Sequence, residues 1–329
     1  PRHPRRIGGA EVAGFSAGIR ILGESGEDVF MATDTNGLQV FKVLPNITPA
    51  LSFVTNTAGT ANAVYLEGGL IYLADGENGL QVYALSNSIL PTFVGAYDTP
   101  GYAWNVFVSE GIAYVADGTN GIQILSVTNP AAIFLLSTFD TADEARSVKV
   151  AAGKACVADG SGGLLVLNVA NPASPALLGS YTSAVPALDL EFVGNIVVLA
   201  KGANGVESFD VSNPAVITSL GAAPNAGPAN GLRIEGNAVY VAAGANGVQI
   251  LELVGLTNSF PEIISAPADV ITLPGGSVSF QVGVNGTPPL TYQWFKDGKA
   301  LIDSPDSRGA ATATLTLSDL LLSVSGNYS

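Results

Sequence analysis

The chain has 329 residues, with 13 Lys and Arg against 27 Asp and Glu, a net charge of −14 and only 12% charged positions. Such a surface repels phosphate backbones and anionic lipid, so no nucleic acid partner is expected. One cysteine and one histidine exclude an internal disulfide and a thiolate-rich or imidazole-rich metal site. No apolar run reaches the roughly 18 residues a spanning helix requires, so these residues are not expected to insert into a membrane.

In chain order, residues 1–13 read as a tail with a ring-closing strand. PRHPRR holds Arg2, Arg5, Arg6 and the only histidine, His3, which leaves ten basic groups against 27 acidic ones from Ile7 onward. The start on Pro and the end inside a domain read as a fragment of a longer protein.

Residues 14–253 keep a strict period. A glycine closes a short loop at Gly37, Gly79, Gly121, Gly163, Gly205 and Gly247, each 42 residues after the last, in stretches such as ADGENG (Ala74 to Gly79) and ADGTNG (Ala116 to Gly121). Around each glycine recur four apolar bursts of strand length. In the third copy they are AWNVFV (Ala103 to Val108), IAYVA (Ile112 to Ala116), IQILSV (Ile122 to Val127) and IFLLSTF (Ile133 to Phe139). They are rich in β-branched and aromatic residues, bounded by Gly, Asn-Pro or Asp, and lack a sustained 3.6-residue period. Apolar residues on successive positions predict strands covered on both faces. Four short antiparallel strands per unit, repeated without an insertion, predict the blades of a β-propeller in an all-β chain.

The sixth copy has only three strands, ending in VQILEL (Val248 to Leu253). A six-bladed ring closed by IGGAEVA (Ile7 to Ala13) is the first reading, and a seven-bladed ring is the alternative. Residues 254–260 form a linker.

Residues 261–329 change pattern. PEIISAPADVITLPGGSVSFQV, GTPPLTYQWFKDGKAL, ATLTLSDL and SGNYS resemble a bacterial immunoglobulin-like domain of the I-set kind, truncated at its C-terminal side. The resemblance places Trp294 as the core tryptophan of strand C and Tyr328 at the tyrosine corner. Val282 stands at the first disulfide position, which implies a disulfide-free partial sandwich, with the inward face of strand C poorly covered.

The 42-residue unit itself, seen in VFVSEGIAYVADGTNGIQILSVTNP (Val106 to Pro130) and again from Val148 to Tyr181, resembles the LVIVD repeat. That resemblance implies a propeller of bacterial or archaeal surface and secreted proteins and brings no catalytic residues. Thr33, Lys201 and Ala243 replace the loop aspartate in copies one, five and six.

Asp75, Asp117 and Asp159 share one loop position in three successive copies. Carboxylates and loop carbonyls suit a hard cation. The preferred reading has each Asp before Gly accept a hydrogen bond from its own turn, because neighbouring blade loops stand too far apart to share an ion. The connections between blades should share this rim. DTPGYAWN brings Asp98, Tyr102 and Trp104, and DTADEARS brings Asp143, Glu144 and Arg146. An aromatic beside carboxylates can anchor a protein or sugar, whereas the competing reading packs Trp104 against a neighbouring blade. Cys156 occupies a strand position held elsewhere by Tyr72, Tyr114, Val198 and Tyr240 and is expected to be buried and inert.

These observations favour a non-catalytic extracellular or cell-surface interaction or adhesion protein of a bacterium, without cofactor, whose rim binds a protein or glycan partner. The alternatives are a propeller enzyme, a metal-assisted hydrolase or lyase built on carboxylates near the channel such as Asp189 and Glu191, and a purely structural stalk module.

Overall fold

The computed structural model describes residues 18–22, 28–42, 50–85, 90–224 and 227–253 of the repeat region. At the C-terminal side it describes 262–285 except 269, 271 and 273–274, and 291–329 except 319 and 321–324. The proposed closing strand Ile7–Ala13 and the linker 254–260 lie outside the described residues. The chain divides into two units, Pro1–Leu251 and Glu252–Ser329.

The first unit is a row of six antiparallel sheets, five with four strands in chain order and a sixth with three among the described residues. Their innermost strands are Gly18–Leu22, Ala63–Glu67, Asn105–Ser109, Ala145–Ala151, Asp189–Val193 and Gly231–Glu235, and each packs beside the next. This is the blade arrangement of a β-propeller, at the predicted period and with strand bounds within a few residues of those predicted.

Local chemistry sets the geometry of each blade. In the third, Ile112–Ala116 and Ile122–Ser126 are joined by a tight turn in which Asp117 N–H donates to Gly121 O at 2.8 Å. Gly121 sits at φ +68°, and a β-carbon there would lie 2.2 Å from Phe139 O, so both conformation and space demand glycine. A register shift recurs between the third and fourth strands at Val40/Phe41, Val82/Tyr83, Ile124/Leu125, Val166/Leu167 and Ser208/Phe209, again every 42 residues. Such bulges increase local twist, which a radial sheet needs.

Consecutive blades are clamped by backbone. The turn residues Asp34, Gly76, Gly118, Gly160 and Gly202 form isolated bridges to Ala61, Ala103, Ala145, Ala187 and Ala229 at the entrance of the next blade. Those five alanines are fully buried, since only a small side chain fits where two blades approach this closely. Middle strands are buried on both faces, as predicted: Val115, Ala116, Ile122, Ile124 and Leu125 have no exposed surface. The outermost strands differ from that expectation. Phe93, Phe134 and Leu177 are each more than half exposed, because the perimeter is where the wedges diverge and no neighbouring blade covers them.

Cys156 lies in the second strand of the fourth blade, paired with Lys149 and Val166, and burial pushes its thiol up to about 12. The native protein is therefore expected to leave a thiol reagent unconsumed at pH 8 and to react fully after denaturation, which a colorimetric thiol assay checks.

In the second unit, short antiparallel pairings surround Trp294, which is 4% exposed. Its Nε1 donates to Thr312 O at 2.8 Å, and Leu315, Leu317 and Leu320 share its cluster. The inward face of strand C is thus covered, contrary to the expectation from truncation, because these leucines already fill it. Tyr328 stacks on Phe280 at 5.4 Å, and Val282, at the disulfide position, packs into the same cluster.

Candidate functional site

The rim forms where the second-to-third-strand turns meet the connections entering each blade. Asp117 is fully buried there and accepts from Thr99 Oγ1 at 2.5 Å and Gly101 N at 2.9 Å, residues of the incoming connection. Asp75 repeats this with Thr57 and Gly59, and Asp159 with the Asp143 backbone N–H. This differs from the expected turn role: the turns are closed by backbone bonds such as Asn120 N–H to Asp117 O, and the carboxylates mainly serve the incoming connection, with Asp75 also accepting from Asn78 Nδ2 of its own turn at 3.4 Å. Each ties its hairpin to a segment 16 to 18 residues earlier, which the Asp-Gly turn signal alone does not reveal. Burial drives all three carboxyls above the ordinary carboxylate range, Asp117 to about 6, against the lowering effect of these hydrogen bonds. Among the described residues, no group of three or more His, Cys, Asp or Glu stands close enough to hold a metal ion.

Held by these latches, the predicted rim residues fall into two groups. Tyr102 and Trp104 meet with ring centroids 4.5 Å apart and planes tilted by 47°, and the Arg146 guanidinium of the fourth blade lies 3.9 Å over the Trp104 ring. Arg146 is also paired with Glu144. Trp104 thus packs across the blade boundary while staying half-buried, and Tyr102 lies over Gly76 of the preceding turn. Asp143 lines a neighbouring cavity of about 390 Å³ with Ser161 and Thr182, and hydrogen bonds from Ser161 hold its carboxyl below the usual range. Asp98 is exposed and joins neither group.

A second constellation lies on the innermost strands. Ser147 donates to Asp189 Oδ1 at 2.7 Å, and Leu232 N donates to Asp189 Oδ2 at 2.8 Å, joining the fourth, fifth and sixth blades. Lys149 pairs with Glu191 at 2.8 Å, and Arg233 reaches the same Glu191 oxygen at 3.6 Å. Burial pushes the Asp189 carboxyl up, with the Lys149 charge acting the other way. Sequence reasoning singled out Asp189 and Glu191 and missed their partners. The 42-residue spacing of Lys149, Glu191 and Arg233 was the signal that could have found them.

With this geometry in hand, comparison with known proteins is decisive for the repeats. The LVIVD repeat family matches residues 58–99, 100–141 and 142–183, and the immunoglobulin domain family matches 261–329. The chain carries three LVIVD repeats and an immunoglobulin domain. The matched repeats are the three with the latch aspartates Asp75, Asp117 and Asp159, while the LVIVD-like copies outside the match carry Thr33, Lys201 or Ala243. No curated protein matches the chain. Among solved structures the chain is similar to the crystal structure of the computationally designed Ika8 protein, at 11% identity over 92% of this chain and 96% of that one, with a TM-score of 0.57. At that identity the likeness speaks for the fold alone.

Proposed function

We propose that this LVIVD-repeat protein is a non-catalytic recognition scaffold of the bacterial cell surface or extracellular space, whose propeller rim seats a protein or glycan partner. The observation that carries this reading is the Tyr102–Trp104–Arg146–Glu144 ladder. Two aromatic rings and a guanidinium, locked across a blade boundary, offer rigid contact area at little entropic cost, the composition of an interface anchor. The carboxylates nearby serve the scaffold, since the latch aspartates hold connections and Glu144 holds Arg146.

Trp104→Ala is expected to weaken binding to partners found on a glycan and protein array at least tenfold, about 1.4 kcal/mol, while leaving the unfolding midpoint within a few degrees. Titration of the purified variant against an array hit checks this. Turnover of a substrate that is abolished by substituting Asp143 or Glu144 would sink the non-catalytic reading.

A further inference from the structure

The innermost strands place five residues at one register position, each 42 residues from the last: Tyr65, Phe107, Lys149, Glu191 and Arg233. All five line one cavity of about 280 Å³, together with Leu66, Val150 and Phe192. The equivalent of the first copy, Gly23, lies outside the described residues. The cavity is divided by chemistry. On one side Tyr65 and Phe107 meet with ring centroids 5.0 Å apart and planes tilted by 53°. On the other, Lys149 and Glu191 form a buried pair at 2.8 Å, and Arg233 stands 3.6 Å from the same carboxylate.

Arg233 is the informative member. Its side chain is 66% exposed, and its ion-pair distance to Glu191 is long for a fork that prefers two short parallel bonds to a carboxylate. Glu191 is already committed to Lys149. The guanidinium therefore keeps donors for a second carboxylate while Glu191 holds it at the cavity wall. The aromatic side supplies faces for a flat or compact ring, and the volume, near the lower end for ligand pockets, restricts that ring to a small molecule.

From this arrangement we infer that the cavity between the innermost strands is a binding site for a compact ring bearing one carboxylate, with Arg233 holding the carboxylate and Tyr65 and Phe107 packing on the ring. The site is separate from the rim ladder, so it stands or falls independently of the rim's role. Two sources carry this chemistry, aromatic carboxylic acids and hexuronic acids.

The test is calorimetric titration of the full chain with phenylacetate and with glucuronate, using methyl phenylacetate and glucose as uncharged counterparts. Saturable binding of at least one acid is expected, together with a tenfold or greater preference over its uncharged counterpart. Which acid binds identifies the source. Arg233→Gln, at an exposed side chain, is expected to remove that preference without altering the circular dichroism spectrum. Phe107→Leu is expected to weaken the ring-bearing acid at least threefold while leaving the preference for charge in place. No saturable binding of either acid, equal binding of the uncharged counterparts, or an Arg233→Gln variant that binds like the parent would each overturn the assignment.

Discussion

Glu191→Ala is expected to destabilise the propeller by about 3–5 kcal/mol, the cost of stranding a buried ammonium. Lys149 and Glu191 are 7% and 9% exposed and lie on the innermost strands of adjacent blades, 2.8 Å apart. Removing the carboxylate leaves Lys149 facing Asp189, whose two oxygens already accept from Ser147 and the Leu232 N–H. Arg233 loses its counter-ion in the same step. The double variant Lys149→Met/Glu191→Leu is expected to regain most of the loss, because exchanging a whole buried pair for apolar groups of similar volume is often neutral or stabilising. Urea unfolding checks both, with a shifted midpoint at unchanged slope as the signature of a stability change. A single variant costing under about 1 kcal/mol would mean that the pair behaves as a solvated surface bridge.

The pair and the rim ladder illustrate what the sequence discloses about this fold. Blade identity, strand order and the turn glycines were legible because they depend on short-range chemistry: the +68° φ of Gly121 and the β-rich bursts either side of it are local facts that recur in phase. Contacts between blades were less legible. Asp117 looks in sequence like any Asp-Gly turn, yet its carboxylate spends both oxygens on the connection holding Thr99 and Gly101. The axial residues show the same limit. Lys149, Glu191 and Arg233 are ordinary strand residues until the register places them side by side, which the period alone would have allowed but hydrophobic patterning obscured. Trp104 illustrates the converse. The packing reading is the one the structure bears on: the ring is half-buried with Arg146 of the next blade lying over it, and its anchor role belongs to the proposal.

Asp117→Ala is expected to cost about 2–4 kcal/mol and Asp117→Asn far less, because alanine leaves the Gly101 N–H and the Thr99 hydroxyl without their acceptor, whereas Asn keeps one acceptor and the hydroxyl can rotate to accept from the amide. The loss also loosens the connection that presents Tyr102 and Trp104, so rim binding should weaken along with stability. The same carboxyl gives the protein a pH signature. Its folded value is pushed up to about 6 by burial, above the unfolded value of about 3.9, so the folded state holds the proton more tightly. Stability from this group is therefore complete below about pH 4 and declines as pH rises toward about 6, by on the order of 1–2 kcal/mol once screening by nearby solvent is allowed for. Asp75 and Asp159 are displaced in the same direction, while Asp143 and Glu207 are displaced in the opposite one, so the whole-protein profile mixes signs. The difference between parent and Asp117→Asn isolates the contribution. Urea midpoints measured from pH 4 to pH 7 should fall more steeply for the parent than for Asp117→Asn, and parallel profiles would show that the Asp117 carboxylate is ionised throughout this range.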